Sequence, residues 1–405
     1  MSSKMRPFRD TIPLDDARAI IERTIVPIAR TERVRLQHAH GRVLAAAAIA
    51  GNDVPPFARA AMDGYAVRAA DTSGAGRTAP KTLRRIGQLF TAQVSERILG
   101  PGECLEIATG APMPPGADAV VIVEDTELDG DAVAVFAPVN AEQNVGRQGS
   151  DIVAGQTVLE LGTSLTPSRI GAVAALGLSE VTVFAKPLVT LLSTGNEIAE
   201  PGRPLAAGEI YDTNKFSVAA VVEAHGGVPL FVRTASDTLE DLSRAVNDSL
   251  AGDVLVFSGG SSVGERDLIL DVIGDRGQVL FHGISVKPGK PTAFGVIEGK
   301  PVFGLPGYPA SCLTNAYVLL APALRRIARL PPARTNQVIV PLGRRVVSAP
   351  GRHQFYTVRI EDGVAMPAFK ASGDITSMSH ADGYIEIALE TNAVEAGELV
   401  TVTLF

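Results

Sequence analysis

The 405-residue sequence has no tryptophan and only two cysteines, Cys104 and Cys312. Because the cysteines lie far apart, they supply neither a disulfide framework nor the ligand spacing of a zinc site. Such sparse cysteine is typical of a reducing compartment. We therefore expect a cytoplasmic protein.

An excess of positive charge is also missing, since the formal net charge is −7. Proteins that bind nucleic acid or anionic membranes generally need a basic face, so neither partner is expected. The opening MSSKMRPFRD lacks the apolar segment of a signal peptide, and the apolar run at 44–50 is too short to span a bilayer. The composition is 46% hydrophobic and 20% charged, which is typical of folded globular domains.

Hydrophobic patterning divides the chain into segments of different character. Short alternating runs between Gly, Pro and Asp turns predict β structure over 65–146, and similar runs predict a small β domain after 331. Strand–helix alternation over 187–330 predicts a doubly wound α/β domain. We therefore predict a multidomain α/β plus β fold, with an elongated domain (1–53 and 147–186), an inserted β domain (54–146), an α/β domain (187–331) and a C-terminal β domain (332–405).

Small polar residues and glycines follow three apolar runs of the α/β segment. These loops are STGNE (193–197, with Thr194), SGGSS (258–262, with Gly259, Gly260 and Ser261) and GLPGYPAS (304–311). Ligands of open α/β sheets bind at the carboxyl ends of the strands, where backbone N–H groups can hold an anion. A phosphate cradle on one rim is one interpretation of SGGSSVG, and a plain turn is the other. The Walker motif is excluded because Gly264 is followed by Glu265 and Arg266.

A rigid turn, VKPGKP (286–291), carries Lys287 and Lys290. Two ammonium groups held close together repel each other unless an anion lies between them. The turn therefore favours an anion site, although two solvated surface lysines are the simpler alternative.

Carboxylates are frequent near the same predicted rim, namely Glu197, Asp212, Asp237 and Asp267. Carboxylate oxygens beside a phosphate are the ligands that Mg²⁺ prefers. Such residues are otherwise solvated or act as helix N-caps, which is an alternative for Asp237.

Three further stretches contain candidate residues outside the α/β segment. They are FARAAMDGYA with Asp63, IATGAPMPPGAD with Thr109, and QGSDI with Asp151. Each is also explained by ordinary turn chemistry. The six histidines show no metal-ligand pairing.

Taken together, seven stretches resemble one family in identity, order and spacing. They are FARAAMDGYA, IATGAPMPPGAD, LLSTGNEI, GEIYDTN, SGGSSVGERD, VKPGKPTAFG and GLPGYPAS. The chain resembles the MoeA-type molybdopterin molybdenumtransferases, a family that includes the E domain of gephyrin. The resemblance spans nearly the whole chain and weakens over 332–405.

The resemblance implies that the elongated domain dimerises and that the α/β domain binds molybdopterin. It implies a reaction in which adenylyl-molybdopterin and molybdate give molybdenum cofactor and AMP, with Mg²⁺ required. Expected partners are a second copy of the chain, the molybdopterin-adenylylating enzyme and apo-molybdoenzymes.

The resemblance also implies roles for individual residues. The expected catalytic acids are Asp63, Asp151, Glu197, Asp237 and Asp267, and Asp237 and Asp267 are the expected metal ligands. The expected substrate-binding residues are Thr109, Thr194, Asp212, Asn214, Gly259, Gly260, Ser261, Lys287, Lys290, Pro306, Pro309, Ser311, Arg352 and Ser372.

The sequence departs from the family pattern in GLPGYPAS, where members usually have GLPGNPVS. Tyr308 replaces the asparagine and Ala310 replaces the valine. This departure keeps alternatives open: a tungstate-selective or catalytically altered molybdopterin-binding protein. The related adenylyltransferase, which would consume ATP, and a gephyrin-like scaffold are further alternatives.

Overall fold

A computed structural model of the chain describes residues 11–232, 234–236, 238–259, 268–348 and 350–405. Its α-helices are α1 (Leu14–Thr24), α2 (Pro167–Ala175), α3 (Asn214–Ala224), α4 (Leu239–Ser249), α5 (Leu268–Arg276), α6 (Pro309–Asn315), α7 (Ala321–Ile327) and α8 (Thr376–Ser379), with a π-helical segment, Ala316–Leu320, between α6 and α7. No helix within these ranges has the length and apolarity needed to cross a membrane.

The strands of the first half are β1 (Thr31–Arg35), β2 (Ala48–Ile49), β3 (Arg59–Ala60), β4 (Gly64–Val67), β5 (Lys81–Leu89), β6 (Glu103–Ile107), β7 (Ala119–Ile122), β8 (Thr126–Asp129), β9 (Ala132–Val135), β10 (Val145–Gly146), β11 (Thr157–Leu159) and β12 (Glu180–Phe184). Those of the second half are β13 (Leu188–Ser193), β14 (Ile198–Ala199), β15 (Ile210–Tyr211), β16 (Val228–Phe231), β17 (Val254–Ser258), β18 (Gly277–His282), β19 (Val286–Lys287), β20 (Ala293–Ile297), β21 (Lys300–Leu305), β22 (Gln337–Pro341), β23 (Val346–Val347), β24 (His353–Glu361), β25 (Val364–Pro367), β26 (Gly383–Ile387), β27 (Ala393–Val394) and β28 (Leu399–Leu404).

The described chain forms two compact units. The larger unit comprises the chain up to Glu32, Gly41–Val43 and Thr182–Phe405, and the smaller unit comprises Arg33–His40 and Leu44–Val181. The four predicted domain boundaries stay a prediction.

The main sheet of the larger unit has the order β16-β13-β17-β21-β20-β18. The first four strands of this order are mutually parallel, whereas β20 is antiparallel to both β21 and β18. The sheet is therefore mixed. Its antiparallel part consists of β20 and its neighbours β18 and β21, and no helix lies between β18 and β21 in the chain. A short connection permits antiparallel pairing, whereas a parallel pair needs a long crossover.

Helices cover both faces of this sheet, as a doubly wound fold requires. Along β17, Val254 and Val256 lie in the core shared with α1, α3 and α7, whereas Leu255 and Phe257 lie in the core shared with α4 and α5. Because successive strand residues point to opposite faces, the continuously apolar strand serves both cores.

A second sheet of the larger unit, with the order β19-β24-β26-β28-β22, lies mostly in the C-terminal segment. Alternating residues such as Val358, Ile385, Val400 and Val402 form its core. Strand β19 belongs to this sheet through parallel pairing with β24, in which Lys287 is opposite Gln354. The C-terminal sheet therefore holds the start of the predicted lysine turn.

The smaller unit is built around a sheet with the order β7-β4-β6-β5-β9-β8. Successive residues of β4 pack into different hydrophobic cores, with Tyr65 and Val67 in one and Ala66 in the other. This sheet lies inside the segment predicted as β structure from its short alternating runs.

Candidate active site

The described starts of the three loops predicted to share a rim lie at one edge of the main sheet. Ser193 at the end of β13 is in register with Ser258 at the end of β17, and Ser258 is in register with Leu305 at the end of β21. The hydroxyl oxygens of Ser193 and Ser258 lie 3.2 Å apart. The strand order reverses between β13 and β17, which is where ligands bind in open α/β sheets. The shared rim is therefore confirmed.

Glycine is required where the first two loops cross. Gly259 has φ +99°, a conformation that L side chains rarely adopt, and a Cβ atom there would lie 2.5 Å from the carbonyl oxygen of Thr194. On its other side, a Cβ on Gly307 would lie 3.5 Å from the Cα of Gly259. The close approach of three backbones thus explains the first glycine of SGGSSVG. The predicted residues Gly260 and Ser261 lie outside the described residues.

Several buried polar side chains lie near this edge of the main sheet. Thr194, Asp212 and Asn214 are only 4%, 3% and 8% exposed. Asp212 accepts a hydrogen bond from the backbone N–H of Lys215 (3.0 Å), and the Asn214 amide donates to the carbonyl of Gly307 (2.8 Å). Among the described residues, Asp212 Oδ2, Asn214 Oδ1 and Thr194 Oγ1 find no hydrogen-bond partner. Because an unpaired buried polar atom is costly, such atoms at a ligand edge favour a ligand-binding role.

The lysine turn follows β19. Lys287 and Lys290 are both half-buried, and the carbonyl oxygen of Lys290 accepts hydrogen bonds from Ile284 (3.0 Å) and Thr292 (2.9 Å). Arg352 is exposed and immediately precedes His353, which is in register with Val286. Lys287 and Arg352 therefore lie on or next to the paired strands β19 and β24, and Lys290 lies in the turn that follows β19.

The loop after β21 contacts the C-terminal segment. Pro306 and Ser311 are buried, Pro309 starts α6, and the backbone N–H of Ala310 donates to the carbonyl of Ser372 (3.1 Å). Tyr308 remains 66% exposed, and a Cβ atom on Gly373 would lie 3.7 Å from its ring. The structure thus brings Ser372 to the loop that carries Pro309 and Ser311.

The predicted metal ligands, Asp237 and Asp267, lie outside the described residues. Within the described ranges, no group of three or more His, Cys, Asp or Glu side chains could hold a metal ion. Glu197 is exposed in the loop after β13, where its carboxylate would meet a Cβ atom placed on Gly195 at 2.7 Å. The magnesium site expected at Asp237 and Asp267 therefore stays a prediction.

In the smaller unit, Asp63 and Thr109 form a hydrogen-bonded pair. Asp63 Oδ1 accepts hydrogen bonds from the backbone N–H (2.7 Å) and the hydroxyl (2.9 Å) of Thr109. These bonds stabilise the carboxylate and lower the pKa of Asp63 below its ordinary value, with the N–H as the larger cause. Asp63 is exposed, so its charge faces solvent.

The loop that carries Asp151 is held by a residue that the sequence did not single out. Asp53 accepts hydrogen bonds from the Ala154 N–H and the Gln148 amide, both at 2.8 Å, which lower its pKa in that order of importance. Asp151 itself is exposed, and its N–H donates to Val54 (3.0 Å). The polar NDV stretch before the Pro-Pro pair was the available signal for Asp53.

Asn315 was also missed, although a lone amide in the otherwise apolar ASCLTNAYVLL helix is a usable signal. Its Nδ2 atom donates to the carbonyl of Gly289 (2.9 Å) and to the hydroxyl of Thr292 (2.6 Å). These contacts tie the lysine turn to the helix that starts at Pro309.

Comparisons with known proteins cover almost the entire chain. Residues 12–177 match the family described as MoeA N-terminal region (domain I and II), residues 190–326 match a probable molybdopterin binding domain, and residues 340–405 match the MoeA C-terminal region (domain IV).

Curated relatives and a solved structure agree with these matches. The chain is 33% identical to a molybdopterin molybdenumtransferase of Haemophilus influenzae, over 97% of this chain and 98% of the relative. It is 35% identical to molybdopterin molybdenumtransferase 2 of Mycobacterium tuberculosis, over 90% and 92%. The molybdopterin biosynthesis moeA protein of Pyrococcus horikoshii is 38% identical, with TM-score 0.85 over 98% of this chain and 99% of that chain.

The predicted multidomain α/β plus β fold class is confirmed by this structural match. The chain belongs to the MoeA family, as its motifs predicted.

Proposed function

We propose that this protein is a molybdopterin molybdenumtransferase that inserts molybdate into adenylyl-molybdopterin and releases AMP. The observation that carries the proposal is the rim formed by β13, β17 and β21, where backbone groups and buried, unpartnered oxygen atoms lie together. The names of the full-length relatives supply the substrate class.

Both proposed substrates are anionic, so binding requires hydrogen-bond donors and positive charge. Lys287 and Lys290 supply positive charge on a rigid turn, and Arg352 directly precedes His353, which pairs with Val286 at the start of that turn. The hydroxyls of the rim loops supply donors, among them those of Thr194, whose oxygen has no partner among the described residues, and Ser311. Neutralising the phosphates and the oxyanion together lowers the cost of bringing like charges into one site.

The acidic residues and Asn214 have a different proposed task. Asp212 and Asn214 offer oxygen atoms to the hydroxyl and amino groups of the substrate, and Glu197 extends this set at the end of β13. Asp63 and Asp151 are proposed catalytic acids of the smaller unit. Asp63 stays ionised at lower pH than an ordinary aspartate because of Thr109.

A Mg²⁺ requirement is part of the proposal and rests on Asp237 and Asp267. When bound, the ion would polarise the phosphoryl group from which AMP leaves. We also propose a cytoplasmic homodimer that receives its substrate from a molybdopterin-adenylylating enzyme and passes its product to apo-molybdoenzymes.

The direct test is the release of AMP from adenylyl-molybdopterin in the presence of Mg²⁺, with and without molybdate. Asp267→Asn should stop this release while the melting temperature is retained. Unchanged molybdate-dependent release by that variant would remove Asp267 from the proposed metal site.

A further inference from the structure

A buried hydrogen-bonded triangle joins two distant parts of the proposed anion site. Its corners are the amide of Asn315, the hydroxyl of Thr292 and the carbonyl of Gly289. Asn315 Nδ2 donates to Gly289 O (2.9 Å) and to Thr292 Oγ1 (2.6 Å), and Thr292 Oγ1 donates to Gly289 O (2.8 Å). Asn315 and Thr292 are both 0% exposed.

The triangle also depends on the backbone conformation of the turn at Gly289. Gly289 has φ +106°, and a Cβ atom there would lie 2.1 Å from Asn315 Nδ2. The side chain of Asn315 therefore occupies the space that any larger residue at 289 would need. Only glycine permits this contact, which lies between Lys287 and Lys290 in the turn.

Asn315 is the last residue of α6, and α6 begins at Pro309 in the loop after β21. The turn after β19 and the loop after β21 are separate in sequence, and each carries proposed anion-binding residues. The Asn315 side chain, at the C-terminal end of α6, hydrogen-bonds to the turn after β19. It therefore links that turn to the helix that follows the loop after β21. Because the triangle is buried, water does not compete for its hydrogen bonds, and its geometry is well defined.

We propose that Asn315 is a positioning residue for oxyanion binding: together with Thr292 it fixes the turn that carries Lys287 and Lys290 relative to the helix that begins at Pro309. It acts through the lysines and contacts no substrate. This inference rests on the proposed function, because the oxyanion is taken to be the molybdate of that reaction.

The kinetic test compares Asn315→Ala with Thr314→Val. Thr314 is the neighbouring residue, is also buried, and its hydroxyl donates within α6 to Ala310 O (2.7 Å), so Thr314→Val removes a buried hydrogen bond of the same helix without releasing the turn. Asn315→Ala removes two hydrogen bonds from the triangle. It should raise the KM for sodium molybdate by at least about two- to tenfold, the range for the net loss of one hydrogen bond, with kcat at saturating molybdate nearly retained. Thr314→Val should leave that KM unchanged.

A second measurement concerns the turn itself and is independent of turnover. Hydrogen exchange of the Ile284 and Thr292 amides, which donate to Lys290 O, should accelerate in Asn315→Ala and not in Thr314→Val. Thr292→Val should reproduce both effects, and the double variant should show less than the sum, because the two residues share one triangle. Equal effects of Asn315→Ala and Thr314→Val on molybdate KM and on exchange would overturn the inference.

Titration of each variant with sodium molybdate separates failure of this inference from failure of the proposed function. Wild-type protein that releases no AMP but binds molybdate more tightly than Asn315→Ala would overturn the proposed function and keep the positioning role. Normal AMP release with unaltered molybdate binding in Asn315→Ala would overturn the positioning role alone. Absence of both molybdate binding and molybdate-dependent AMP release in the wild type would overturn both.

Discussion

Thr109 holds Asp63 through two hydrogen bonds to a single carboxylate oxygen, one from its backbone N–H at 2.7 Å and one from its hydroxyl at 2.9 Å. The pair belongs to two motifs that are separated in sequence and brought together by the antiparallel pairing of β4 with β6. A charged acid is thereby presented to solvent at the end of a strand.

This relationship predicts a pH dependence. The depressed pKa of Asp63 keeps the carboxylate charged as pH falls below the ordinary range, and the bonds from Thr109 weaken once Asp63 is protonated. Thr109→Val removes the smaller of the two causes, so the pKa of Asp63 should rise partway toward its ordinary value. If the charged form of Asp63 is the active one, the acid limb of the plot of AMP-release rate against pH should move to higher pH.

Thr109→Ser is the control, because it keeps a hydroxyl and should leave that acid limb in place. Equal shifts of the limb in both variants would contradict this explanation.

The crossing of the first two rim loops predicts a specific intolerance at Gly259. Gly259→Ala places a methyl group against Thr194 O at a disfavoured φ, so we expect destabilisation of more than about 1 kcal/mol and loss of activity. Gly274→Ala is the matched control, since that exposed glycine lies in α5 with open space around it. This control should stabilise the protein by about 0.4–1 kcal/mol. Chemical denaturation of both variants measures the contrast, and a stable Gly259→Ala protein would refute the packing explanation.

Charge on the lysine turn predicts a change in oxyanion dependence. Lys290→Ala should raise the molybdate concentration needed for half-maximal AMP release, because it removes a positive charge from the proposed binding site. Lys300→Ala provides a contrast, since Lys300 bonds to the carbonyls of Leu250 and Gly252 in the same unit. An unaltered molybdate dependence in Lys290→Ala would exclude the proposed role of that residue.

Tyr308 occupies the exposed position where family members usually have asparagine, and we expect it to influence which oxyanion is used. Tyr308→Asn should change the ratio of AMP release with molybdate to that with tungstate, because a bulky ring is replaced by a small amide at the rim. Tyr308→Phe keeps the ring and should preserve the ratio. Identical ratios in all three proteins would remove Tyr308 from oxyanion selection.

Periodicity and motif order predicted the fold class and the common rim because both follow from local rules. Apolar runs such as 254–258 mark buried strands, and parallel strands must bring their carboxyl ends to one edge. The antiparallel partner β20 was not distinguished from a parallel strand, because both are apolar when buried on two faces.

Contacts between distant segments could not be predicted in the same way. The bonds of Asn315 to Gly289 and of Asp53 to Ala154 depend on tertiary packing, and nothing in the adjacent sequence specifies the partner. The proposed roles of Asp237 and Asp267 remain predictions from motif resemblance.

The most direct measurement is AMP release from adenylyl-molybdopterin with Mg²⁺, in parallel samples with no oxyanion, with molybdate and with tungstate. The proposed function predicts release that depends on the oxyanion, with the metal retained in the pterin product. Tight binding of adenylyl-molybdopterin without release in any sample would contradict it and would identify the protein as a molybdopterin-binding member of the family, with Tyr308 as the first residue to revert.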